Sequence, residues 1–172
     1  MPDDGKISGL YERDFYAWSG HQAKAIRAAQ AALSDTRVID VRASLSELDW
    51  ENLAEEIETL GRSDRRELEN RIGTVIEHLL KLEFSSAEGP RAGSEDTVER
   101  SRDEIATVLP DSPSVRRLLP EIVGARTESA HRTVRRWLAR HGESANTDPV
   151  RLAERRYAPE QILNDWWPDA PA

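Results

Sequence analysis

The sequence predicts an all-α protein, a single-domain bundle of about five to six helices around a long central helix at about 49–84. Three observations predict it. Apolar residues recur near a 3.6-residue period through every long segment. The one stretch that alternates, Arg37-Val38-Ile39-Asp40-Val41-Arg42, has no second strand to pair with, so it reads as loop or helix extension. Glycine, proline and capping residues stand where helices begin and end.

Residues 1–9 hold Pro2, paired aspartates and Gly5 without periodicity, and read as a flexible leader. Tyr11, Phe15, Trp18, Ala25, Ala29 and Leu33 predict a first helix over about 11–33, with Gly20 a weak spot. The next helix has two candidate caps, Ser46 or Asp49. Its inner stripe is Trp50, Leu53, Ala54, Ile57 and Leu60, continued in phase by Leu68, Ile72, Val75, Leu79 and Leu82. One continuous helix is therefore expected, although Gly61 followed by Ser63 would also suit a break. Ile76 and Leu80 widen the apolar arc, which marks this as the central helix.

Ser85 to Gly93 is small, polar and broken by Pro90, the composition of a mobile loop, and Ser94 is the expected cap of a third helix carrying Val98, Ile105, Val108 and Leu109. Pro110 ends it, and Pro113 suits the first position of a short helix reaching Leu119. Pro120 opens or kinks a longer helix with Val123, Ala130, Val134, Trp137 and Leu138 on one face, closed by Gly142. Residues 10–142 thus form the bundle. Residues 143–172 read as a C-terminal arm, extended over 143–156, whose short helix from Tyr157 and Trp166-Trp167-Pro168 clasp dock on the same domain.

At 172 residues the chain can bury a core without covalent staples. It contains no cysteine, which rules out disulfides, thiolate metal sites and a cysteine nucleophile. The N-terminus lacks the apolar core of a signal peptide, and no apolar run approaches the roughly 20 residues a bilayer needs, so a cytoplasmic protein with no membrane role is expected. A net charge of −8 opposes wholesale attraction to nucleic acid.

Five segments taken in order, Asp14-Phe15-Tyr16-Ala17-Trp18, Leu48 through Leu68, His78-Leu79-Leu80-Lys81, Asp111-Ser112-Pro113-Ser114 and Pro159-Glu160-Gln161-Ile162-Leu163, resemble the bacterial family catalogued as domain of unknown function twenty-nine. The resemblance spans nearly the whole chain, and the run from Asp49 to Glu58 is its most specific part. It implies an all-helical bundle and no established activity. The chain departs from the family in a longer connection between Leu33 and Leu48 and in lacking an aromatic near Ser94.

Glu51, Glu55 and Glu58 share one flank of the long helix, so three carboxylates there suit a cation or a basic partner. The more ordinary use pairs Glu58 with Arg62 and leaves the others to the helix start. Residues 47–58 hold six acids and no base, whereas 124–142 hold five arginines against one glutamate. Within the latter, Arg132, Arg136 and Arg140 form a row opposite the apolar face, suited to internal, homo-oligomeric or partner pairing. Nucleic acid is disfavoured because no exposed aromatics interleave with the row.

Glu128 and His131 have the spacing of a dimetal ligand pair, but a second such pair is missing, so no metal and no cofactor are expected. His78, at the edge of the apolar arc and inside a motif of the resembling family, is the candidate titrating residue. No serine stands in a nucleophile elbow, and no glycine pattern matches a phosphate loop. The reading is a module for binding a protein partner or a second copy of itself. The alternative is an enzyme or metal-binding bundle built on Glu51, Glu55, Glu58, His78, Glu128 and His131.

Overall fold

The computed structural model describes residues 9–35, 50–87, 89–145 and 147–169, and among these it contains only helices, turns and irregular segments. The helices are α1 (Leu10–Arg13), α2 (Phe15–Asp35), α3 (Trp50–Phe84), α4 (Gly89–Val108), α5 (Pro113–Arg117), α6 (Leu119–Arg140), α7 (Pro149–Glu154) and α8 (Pro159–Leu163). The all-α class is as expected, with eight helices among the described residues because several short ones join the long ones. The leader apart from Gly9, the two candidate caps at Ser46 and Asp49 and the alternating stretch at 37–42 lie outside the described residues. The chain groups into two compact units, Met1–Arg66 with Asp111–Ser114, and Glu67–Pro110 with Val115–Ala172.

In the first unit Asp14 divides what the periodicity reads as one helix. Its Oδ1 accepts the backbone N–H of Ala17 at 3.0 Å, which makes it the N-cap of α2. Tyr11 and Phe15 both lie against Trp18, a small aromatic cluster formed by the predicted stripe. Among the side chains of α2 described, those of residues 15–32, the buried ones are nevertheless small, Ser19 and Ala23, while Ala25 is exposed; Leu33 of the expected stripe lies outside them. Ala54 and Gly61 are the buried residues of α3 in this unit. Tyr16 meets Arg65, Ser19 meets Gly61, and Arg27 meets Glu58 and Glu51, rising numbers against falling ones, so α2 and α3 run antiparallel.

α3 is unbroken through Gly61. The glycine is there for closeness: a Cβ on Gly61 would collide with the side chain of Ser19. Its helical cost relative to alanine, about 1 kcal/mol, is offset by the approach of two helices. The expected stripe is only partly buried here. Leu53 is 44% and Leu60 54% exposed, and Trp50 and Ile57 are half-buried.

In the second unit the stripe is a true core. Leu68, Ile72, Val75, Ile76, Leu79, Leu80 and Leu82 of α3 are buried. So are Val98 and Ile105 of α4, and Ile122, Val134 and Leu138 of α6. The loop expected over 85–93 is shorter than its composition implies, because α4 begins at Gly89 and Pro90 sits in its first turn, where a missing N–H costs nothing. Ser94 is buried within α4 and is not its cap. α6 closes as expected, with Gly142 at φ 73° and the N–H of Glu143 donating to the Leu138 carbonyl at 3.0 Å. The arm is not extended through 143–156. α7 forms there, capped by Asp148, whose Oδ1 accepts the N–H of Val150 and of Arg151. α8 contacts α4 and α6.

Candidate functional site

The acidic flank of α3 is largely consumed by the first unit itself. Arg27 of α2 donates from Nε to Glu51 at 3.1 Å and from both terminal nitrogens to Glu58 at 3.3 Å. Arg62, one turn after Glu58, lies 3.4 Å from its other oxygen. Glu55 is exposed and has no ion-pair partner among the described residues. The structure therefore brings two of the three carboxylates to an arginine rather than to one another. Arg27 was not legible as their partner, because its position opposite Glu51 and Glu58 depends on the antiparallel register of α2 and α3.

The basic row is disposed otherwise. Arg132, Arg136 and Arg140, with Arg135 beside them, are exposed on α6, and none has a carboxylate partner among the described residues. The opposite face of the helix holds Ile122, Ala130, Val134 and Leu138 in the core, which fixes the row outward. Arg126, earlier on the same helix, differs because it pairs with Glu69 at 2.9 Å.

Glu128 and His131 have different partners. His131 is buried and its Nε2–H donates to the Arg155 carbonyl at 3.0 Å, while Glu128 is exposed and pairs with Arg156 at 3.4 Å. Burial, reinforced by the Arg156 charge, pulls the imidazole below its ordinary value. No group of three or more metal-ligating side chains occurs among the described residues. His78 is half-buried, and its Nδ1 is buried without a hydrogen-bond partner. Its pKa is lowered by burial first and by Lys81 second. Lys81 itself pairs with Glu77 at 2.7 Å and lies over the Trp137 ring at 5.5 Å.

Two polar anchors that periodicity does not reveal hold the arm in the second unit. Glu83, 8% exposed, accepts from Arg155 at 2.7 Å, from Arg151 at 3.3 Å and from the Tyr157 hydroxyl at 2.9 Å. Arg155 also lies against the rings of Tyr157 and Trp166. Arg102 of α4 donates to the carbonyls of Ile162, Gln161 and Trp166 and faces the Trp167 ring, so it satisfies the open end of α8. The aromatic clasp thus closes on the buried Arg102 and the half-buried Arg155. Glu143 is the second buried acid of this unit among the described residues, accepting the Ser85 hydroxyl at 2.8 Å and the Ser86 N–H at 2.7 Å. An acid between Leu82 and Phe84, one turn beyond Leu79 on the apolar face, was the available signal for Glu83, since a carboxylate there must find donors.

A family model described as domain of unknown function DUF29 matches residues 10–167. No curated protein matches the chain. Among solved structures, an alpha-helical protein of unknown function from Rhodospirillum rubrum is similar, at 21% identity and a TM-score of 0.63, covering 90% of this chain and 89% of that one. At that identity the likeness speaks for the helical fold alone. No helix among the described residues is long and apolar enough to cross a membrane.

Proposed function

The chain belongs to the family described as domain of unknown function DUF29, and we propose that it acts as a protein-interaction module whose contact face is the arginine row of α6. One observation carries this reading. Arg132, Arg135, Arg136 and Arg140 stand exposed on one helix without a carboxylate partner among the described residues, while Glu51 and Glu58 are occupied by Arg27. Like charges one turn apart repel by a few tenths of a kcal/mol per pair, a cost that an acidic partner would offset. The partner this row fits is an acidic protein surface. Arginine suits that role because its planar fork grips a carboxylate through two hydrogen bonds.

An enzymatic reading has less behind it. Most of the carboxylates and histidines proposed for it have partners of their own, Arg27 for Glu51 and Glu58, a backbone carbonyl for His131 and Arg156 for the exposed Glu128. Affinity capture from the native cell tests the interaction reading. The wild type should retain acidic proteins that the double reversal Arg132→Glu with Arg136→Glu releases, and equal retention by both would reject it.

A further inference from the structure

A groove of about 340 Å³ opens in the first unit, and its charged lining comes from Lys24, Arg27, Glu58 and Arg62, with His21 beside them. That volume lies within the range of small-ligand sites. Glu58 sits between two guanidinium groups: Arg27 reaches one oxygen through two nitrogens at 3.3 Å, and Arg62 lies 3.4 Å from the other. Two guanidinium groups converge on this single oxyanion, Arg27 through two nitrogens and Arg62 through one while its other terminal nitrogen donates to the Thr59 hydroxyl at 2.8 Å, a cationic arrangement that suits phosphate. We propose that this groove binds the phosphoryl group of a small phosphomonoester, with the Glu58 carboxylate occupying the phosphoryl position in the free protein.

The exchange is chemically reasonable in both directions. The Glu58 contacts are long and their side chains partly exposed, so the carboxylate is held weakly. Arg27 keeps its separate bond to Glu51 at 3.1 Å, so its position does not depend on Glu58. A phosphomonoester dianion offers more charge and three oxygens to the forks and to the Lys24 ammonium, whereas a carboxylate monoanion is what the site already holds. A side chain on Gly20 would meet nothing within 4 Å, which leaves the groove wall open for the rest of the ligand. None of these residues belongs to the α6 row, so the two proposals stand or fall independently.

Calorimetric titration of the full chain at low ionic strength, with ribose 5-phosphate and with inorganic phosphate, tests the site. Saturable binding is expected, about tenfold tighter in Glu58→Gln, where a repelling charge is gone. Lys24→Gln and Arg62→Gln, both at exposed positions, should each weaken it about tenfold. Equal affinity for the two ligands assigns the site to free phosphate, and tighter ribose 5-phosphate assigns it to a phosphorylated metabolite; either supports the phosphoryl chemistry. The proposal is overturned by the absence of binding to wild type and Glu58→Gln alike at about 10 mM ligand. It is also overturned if Glu58→Gln binds no tighter, or if binding survives Lys24→Gln and Arg62→Gln but is lost on reversal of Arg132 and Arg136.

Discussion

The buried carboxylate of Asp14 accepts both the backbone N–H and the hydroxyl of Ser114, each at 2.7 Å, while also capping α2. Two of the motifs quoted for the family, the Asp14 and Ser114 segments, therefore meet in a single cap. Asp14→Ala removes a charged acceptor from three donors and should cost about 2–4 kcal/mol in chemical denaturation. Asp14→Asn keeps one acceptor and should cost less. Equal stability of wild type and Asp14→Ala would show that the cap contributes little.

Gly61 gives a prediction against helix propensity. Alanine normally stabilises a helix interior relative to glycine, but here the added methyl group meets the Ser19 side chain. Gly61→Ala should therefore destabilise by roughly 1–3 kcal/mol, and Ser19→Gly in the same chain should recover part of that loss. A stabilised Gly61→Ala protein would mean the two helices separate easily.

The arm latch predicts an alkaline limit. Burial, with the neighbouring Glu83 next, raises the Tyr157 hydroxyl well above its ordinary value, so the folded protein keeps it neutral. Unfolded tyrosine ionises near pH 10, and stability contributed by the neutral group is lost as pH rises beyond that. Tyr157→Phe should show a smaller loss of stability above about pH 10 than wild type. Glu83→Ala should be far more damaging, on the order of 3–5 kcal/mol, because it leaves the half-buried Arg155 without its carboxylate.

His131 predicts the acid counterpart. Its pKa is lowered, so its stabilising contribution is complete above the unfolded value near 6.5 and is lost as pH falls below it. His131→Gln supplies an N–H for the Arg155 carbonyl without a titrating ring, and its denaturation midpoint should fall less between about pH 6.5 and pH 5. An identical pH profile would place the acid sensitivity elsewhere, with His78 the next group to replace.

What was legible follows from what repeats. Leu68 to Leu82 keep a helical period and face a full core, so their burial follows from pattern alone; Leu79→Ala, at a fully buried position, should cost about 2–5 kcal/mol. Leu53 and Leu60 obey the same period but are exposed, because periodicity shows a face and not what covers it. Gly89 and Pro90 read as loop by composition, yet Pro90 is tolerated in the first turn of α4. The candidate site was harder. Arg27 and Arg155 reach Glu58 and Glu83 across 31 and 72 residues, and such pairings depend on helix register rather than on local spacing.

The interaction claim rests on an outward row of arginines, and charge is what should be varied. Binding of the captured acidic partner to the wild-type chain should weaken steeply as salt rises from about 50 mM to about 500 mM, since screening shortens from beyond one helical turn to within it. In the Arg132→Glu, Arg136→Glu protein that binding should already be lost at low salt, with helix content and denaturation midpoint unchanged. Binding that is indifferent to both salt and the double reversal would contradict the account and leave the α6 row as solvated surface.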